Sequence, residues 1–328
     1  MLRIEPELEL TVVLTVVSGK EAVRENLEAL TPQIDFEKAE IIVPFDNSSS
    51  DVGSLASDFP KVEFFFIENA GANLSKSSTD EHRLYDKRRA VGLQRSRGRI
   101  VAMTEDHALP APDWVSQVLT AHEQPYDVIG GAVENGIERP LNRALYFCDF
   151  GRYGRPFKGT EASYLSDVNI AYKRGALLSV QDIWCDAYQE TTVHWALKRN
   201  GRKLFLDDRP VVFQNRKGIT FIKALRERIG WGRIFAETRV REITFLKRLV
   251  FALSWILLPF VMTWRVFGHM LRQRQSLWII FSTLPMAFLL LIAWSWGEFL
   301  GYLYGSPKHD RLQSAAIRTY PKIRRNNT

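Results

Sequence analysis

Cysteine is nearly missing from this chain. The two present among 328 residues, Cys148 and Cys185, lack the spacing of a metal site, so a thiolate centre is set aside and reduced thiols in a cytosolic domain are expected. A strong glycine-rich phosphate loop is also lacking, which argues against a nucleotidyltransferase acting on a nucleoside triphosphate. No internal repeat or low-complexity tract appears. The first residues carry Arg3, Glu5, Glu7 and Glu9 without a long apolar region, so no signal peptide is expected.

Charge is missing from two segments of the last third. Leu249 to Trp264 is apolar except for Ser254, Pro259 and Thr263, and Leu277 to Trp296 runs 20 residues without a charge. The second has the length that a helix needs to cross hydrocarbon, roughly 20 residues; the first is shorter and suits a tilted, re-entrant or interfacial helix. Pro259 and Pro285 are costly inside soluble helices but tolerated in membranes. Tryptophans and tyrosines gather toward the segment ends, as interfacial aromatics do, which favours a membrane hairpin over a buried soluble one.

The chain carries 44 Lys and Arg against 37 Asp and Glu, and the excess is local: Arg216 to Arg248 and Lys308 to Arg325 flank the apolar runs. The positive-inside rule then puts both flanks in the cytoplasm. Arg265, Arg272 and Arg274 between the runs leave open a shallow hairpin that never fully crosses. Basic runs beside apolar spans, without interleaved aromatics, make a nucleic-acid partner unexpected. The expected organisation is a catalytic domain over 1–240, a membrane hairpin over 241–305 and a basic cytosolic tail over 306–328, at the cell membrane with the catalytic domain facing the cytoplasm.

A hydrophobic content of 46% supplies a large core. Leu10 to Val17 reads as a buried strand, about Glu21 to Leu30 as an amphipathic helix, Glu40 to Phe45 and Val62 to Ile67 as strands. Leu84 to Ser96 suits a helix with Arg88, Arg89 and Arg95 exposed, and Arg99 to Met103 is a fourth strand. This alternation predicts an α/β fold with a mostly parallel sheet. Trp114 to His122 and Gln189 to Asn200 read as helices, the latter stopped by Gly201 in a left-handed conformation. Asp127 to Val133, Leu204 to Leu206 and Val211 to Phe213 read as strands.

The most informative stretch is Arg99 to Trp114, where an apolar strand runs into Glu105, Asp106 and His107 before a Pro110-Ala111-Pro112 turn. Acidic groups at the carboxyl end of a buried strand sit where open α/β sheets bind ligands. Two carboxylates and an imidazole there suit a hard divalent cation, Mg²⁺ or Mn²⁺, against a diphosphate.

In order and spacing the motifs of about Thr11 to Arg239 resemble those of the family 2 glycosyltransferases, enzymes of the GT-A fold, a Rossmann-like mostly parallel sheet that binds a nucleotide-diphosphate sugar. Asp46-Asn47-Ser48-Ser49-Ser50-Asp51 is similar to the family's turn after the second strand, which makes Asp46 the candidate contact for the base, beside Val17 and Ser18 at the end of the first strand. Arg89-Ala90-Val91-Gly92 keeps the arginine and glycine of another motif, and arginine's planar fork suits diphosphate. The acidic metal motif falls on Thr104-Glu105-Asp106, which implies Asp106 as metal ligand, helped by Glu105, His107 or Gln214, with Glu105 also counted among the donor contacts. Gln189-Glu190 before Gly201 puts Glu190 on the family's catalytic base. Asn169 resembles an asparagine expected at sugar or acceptor, and Arg228 and Arg233 lie in a Gly-Arg segment expected over the donor phosphates.

The resemblance thus implies an inverting transferase moving sugar from a nucleotide diphosphate, with Mg²⁺ or Mn²⁺, to the hydroxyl of a lipid or glycan acceptor. Thr104, Ala90 and Gln214 stand where the family has functional groups, so the alternative is a non-catalytic scaffold of the same fold.

Overall fold

The computed structural model describes residues 8–68, 78–240 and 243–305; the expected tail over 306–328 lies outside them. The chain begins with β1 (Leu10–Thr15), α1 (Lys20–Leu30), β2 (Ala39–Phe45), β3 (Glu63–Phe66), α2 (Ser78–Arg95) and β4 (Ile100–Glu105). β1 lies between β2 and β4, with β3 outside β2, all parallel. Every residue of β1, β2 and β4 is buried, as strands covered on both faces must be. α2 packs so tightly that a Cβ on Gly92 would lie 2.4 Å from Val13 Cγ1, so that glycine is a packing requirement. Asp46 caps a short 3₁₀ helix, Asn47–Ser57, by accepting from Ser48 N at 2.8 Å.

Next come β5 (Ala108–Pro110), α3 (Trp114–Ala121), β6 (Val128–Asn135), α4 (Pro140–Asp149), β7 (Thr160–Ala162), β8 (Asn169–Lys173), α5 (Arg174–Leu178), α6 (Gln181–Trp184), α7 (Glu190–Arg199) and β9 (Leu204–Gln214). The nine-stranded sheet runs β3-β2-β1-β4-β8-β6-β9-β5, with β7 also paired to β9. β8 enters antiparallel between β4 and β6, and β5 and β7 are antiparallel to β9. The sheet is therefore mixed rather than mostly parallel, because apolar runs reveal a strand but not its direction. Two expected short strands are one, β9. Asp207-Asp208-Arg209-Pro210 looks like a turn but is accommodated by a register shift between Gly130 and Ala132 of β6, with Arg209 Nε donating to Asp207 at 2.9 Å. Gly201 has φ 73° and ends α7 as expected.

The last four helices are α8 (Phe221–Val240), α9 (Phe245–Leu253), α10 (Leu258–Arg272) and α11 (Leu277–Tyr304). The first apolar run is not one straight helix: it breaks between α9 and α10 with a 69° bend, the shape of a broken span or a re-entrant segment. Pro259 lies in the first turn of α10, where its missing N–H leaves nothing unpaired, rather than inside a helix. Among the described residues α11 alone is long and apolar enough to cross a bilayer as a single helix. Its Ile280, Ala287, Leu290 and Leu291, with Val266 and Met270 of α10, belong to the same core as the central strands. Further along, a Cβ on Gly297 would fall 2.1 Å from Ile229 O and one on Gly301 2.5 Å from Arg233 O. Small residues thus bring α11 onto α8 backbone to backbone, and the hairpin shares the core of the domain preceding it.

Candidate active site

Past the end of β1 the backbone curls around Asp106. The carboxylate accepts from Val17 N at 2.9 Å, Ser18 N at 2.7 Å and Gly19 N at 3.0 Å. Gly19 has φ 105°, a left-handed conformation that glycine adopts without penalty, and successive N–H groups then converge on one anion. The Asp106 side chain is fully enclosed. Its role in this arrangement is to hold the β1–α1 turn, which Asn26 buttresses by donating to Glu105 O at 3.1 Å and Ala108 O at 2.9 Å.

Glu105 faces a different network. Arg89 donates to Glu105 and also reaches Asp86 at 3.0 Å and Asp167 at 2.9 Å, while His107 Nε2 lies 3.1 Å from Glu105. Asp167 N in turn donates to Glu190 Oε2 at 3.1 Å. An unbroken chain of polar contacts therefore joins Glu105, Arg89, Asp167 and Glu190, three of them expected in the site. Burial pushes the Glu190 carboxyl well above the usual carboxylate range, and the neighbouring charge of Asp167 pushes in the same direction. Glu105 is also raised, first by burial, against the pull of His107 and Arg89.

Arg88 and Arg89 are each only 2% exposed, which corrects the solvated face expected for α2; Arg95 does reach the surface, beside Glu63. The helix periodicity could not show that acids from three other segments converge on this face. Burial pushes Asp86 up to about 8 although Arg89 pulls the other way. Its folded pKa then exceeds its unfolded value, so its contribution to stability is present at low pH and is lost as pH rises from about 4 to about 8. Denaturant unfolding at pH 5 and 9 should show this fall in the wild type and a smaller one in Asp86→Asn; equal falls would exclude the assignment.

Asp46 is engaged by Arg88, whose Nε lies 2.8 Å away and whose guanidinium also meets Val16 O and Ser48 Oγ. Arg88 was not singled out by the sequence; its position next to Arg89 gave no separate signal. Tyr85 stands over Arg88 at 5.7 Å and helps to line a pocket that opens beside Val17 and Ser18. The opposite wall is Arg216, Lys217 and Gly218 after β9, with Lys223, Glu227 and Trp231 of α8. Glu227 holds Arg216 at 2.9 Å. These basic residues lie in the charged run that the sequence assigned to the membrane flank.

Asn169 is spent inside the protein, with Oδ1 accepting from Trp114 Nε1 at 2.9 Å and Nδ2 donating to Ala132 O and Pro210 O. Arg228 is buried in an ion pair with Asp149 of α4, and Arg233 pairs with Glu237 at 2.9 Å; neither lines the pocket. Thr104, at the position of the missing acid, donates to Val168 O at 3.0 Å inside the sheet.

A hard cation needs several open oxygen ligands. Asp106 gives its oxygens to three backbone N–H groups, and Glu105 gives its own to Arg89 and His107. Gln214 Oε1 and His107 Nδ1 are buried without a hydrogen-bond partner, but one amide oxygen and one imidazole nitrogen are a sparse set for Mg²⁺ or Mn²⁺. The residues in this arrangement do not fit a protein-held cation, and among the described residues no group of three or more acidic, histidine or cysteine side chains is placed to hold one.

The family model described as glycosyl transferase family 2 matches residues 11–180, more than half of the chain. A glucosyl-dolichyl phosphate glucuronosyltransferase of Haloferax volcanii is 24% identical over 169 residues, covering 49% of this chain and 50% of that protein. The chain thus spans about half the length of this curated relative. Among solved structures, a mannosyltransferase from Pyrobaculum calidifontis in complex with GDP-Man and Mn²⁺ aligns over 95% of this chain and 81% of its own, at 15% identity and a TM-score of 0.43. A mycobacterial protein aligns over 70% of this chain and 74% of its own, at 15% identity and a TM-score of 0.44. With a mixed α/β sheet and the family model matched across the strands and helices that carry Asp46, Arg89, Glu105 and Asp106, the chain belongs to glycosyl transferase family 2.

Proposed function

We propose that the enzyme transfers a sugar from a nucleotide diphosphate to a hydroxyl of a lipid or lipid-linked acceptor, with inversion at the anomeric carbon. The observation that carries this reading is the half-buried pair Asp167 and Glu190, tied through Arg89 to Glu105 at the end of β4. A carboxyl with a raised pKa suits removal of a hydroxyl proton near neutral pH. Attack by the resulting oxygen on the face opposite the leaving nucleotide inverts the centre.

The diphosphate fits the pocket beside Val17 and Ser18, where Lys217, Lys223 and Arg216 face it. Arg216 is held by Glu227 at 2.9 Å and Lys217 by Glu25 at 2.6 Å, so the exposed Lys223 is the cation of this group most open to the departing nucleotide. The segment over 241–305 keeps the enzyme at a membrane, where a lipid acceptor is within reach.

The test is product analysis with the purified full chain, screened against nucleotide-diphosphate sugars and lipid phosphate acceptors. One nucleotide diphosphate released per sugar transferred, with inverted configuration by NMR, is expected; retention would overturn the mechanism. Lys217→Ala and Lys223→Ala together should raise the donor KM about tenfold, as loss of about 1.4 kcal/mol of charge-assisted contact implies. Nucleotide binding without turnover of any donor would favour the scaffold reading.

A further inference from the structure

We propose that α9, α10 and α11 lie along one leaflet of an anionic bilayer as a monotopic anchor, and that the hairpin never crosses. This deepens the membrane siting of the transferase. A two-pass hairpin carries its tip about 30 Å from the side on which it enters. Here the tip touches the catalytic domain: Arg272 Nη2 donates to Gly151 O at 2.7 Å and Gly154 O at 3.0 Å. Gln273 next to it donates to Gly151 O at 3.0 Å and accepts from Tyr146 OH at 3.2 Å.

The other end is tied down as well. Arg248 Nη2 donates to Leu303 O at 2.9 Å, and Gly297 and Gly301 rest on the backbone of α8. α8 presents Arg233, 46% exposed, beside this half of α11, with Arg239 reaching Tyr302 of α11, and an exposed charge does not belong in hydrocarbon. With both ends of the hairpin on one domain, α11 runs along that domain's surface rather than away from it.

The outward face is apolar: Phe245, Leu246, Trp264 and Trp278 are 79%, 71%, 73% and 80% exposed, and Leu253 and Phe260 are exposed among them. So large an apolar area marks an interaction surface. Lys247 and Arg265 are exposed among these residues, which matches anionic headgroups around buried acyl chains. The occupant that fits aromatic, aliphatic and basic groups in this order is a single lipid leaflet.

The experiment uses the full chain in inside-out and right-side-out vesicles of a bacterial host, labelled with a membrane-impermeant maleimide. Labelling added by Gln275→Cys at the hairpin tip is compared with that added by Ser116→Cys on the catalytic domain. Both should react from the same side, or the tip only after detergent. Reaction of the tip from the opposite side would overturn the proposal, as would failure of the purified chain to float with vesicles of anionic phospholipid. Donor turnover in detergent reads the transferase activity separately, so either can fail alone.

Discussion

Replacing Glu190 by glutamine is expected to lower sugar transfer by on the order of 10²- to 10⁴-fold, the range that a positioned general base contributes, while nucleotide diphosphate binding persists. Glutamine keeps the shape and can still accept from Asp167 N, so a structural role alone predicts a small effect. The pH profile separates the two further. Burial and the Asp167 charge hold the Glu190 carboxyl up, so the acid limb of kcat/KM should lie well above the ordinary carboxylate range. Asp167→Asn removes the like charge and should move that limb to lower pH. An unchanged rate in Glu190→Gln, or a limb that ignores Asp167, would remove Glu190 from the base position.

The second large effect is on stability. Arg89→Ala should destabilise the fold by about 3–5 kcal/mol, because it leaves buried acids without their cation. Glu105 and Asp167 depend on this guanidinium, while Asp86, pushed up to about 8 by burial, is mostly protonated at pH 7 and adds little to the loss. Arg89→Lys should recover only part of the loss, since one ammonium cannot reproduce a planar fork addressing several carboxylates. The two variants are compared by urea unfolding at pH 7. A loss below about 1 kcal/mol for Arg89→Ala would mean that the acids are protonated or solvated, and that the network does not hold the site together. Arg89 thus has a reading other than direct diphosphate recognition: its charge is used within the protein, and the cations facing the pocket come from the segment after β9.

Glu105, Asp106 and Glu190 stand out in the sequence because each follows a strong local signal: an apolar strand running into acids, or a helix opening before Gly201. What each group does was not legible. Asp106 looks like a metal ligand in one dimension; in three it is enclosed by Val17, Ser18 and Gly19, residues almost ninety positions earlier. Asn169 looks like a substrate contact, yet its amide is consumed by Trp114, Ala132 and Pro210. Hydrogen-bond partners set by long-range packing leave no mark in local pattern. The same holds for Arg216 and Lys223, whose charge was visible but whose pocket needed β9 and α8 to meet α2 and the end of β1.

Periodicity and apolar run length determined the strands of the first half, the capped turn at Asp46, the helix that opens at Glu190 and the apolar character of residues 249–296. Those are properties of neighbouring side chains along one chain, and burial of each run follows whatever it packs against. The tertiary structure alone decided the antiparallel entry of β8, the burial of Arg88 and Arg89, the turn wrapped on Asp106 and the return of the hairpin tip to Gly151. Each depends on contacts between residues tens to hundreds of positions apart, where the enclosure of a charge or carbonyl, rather than local propensity, determines which arrangement is stable.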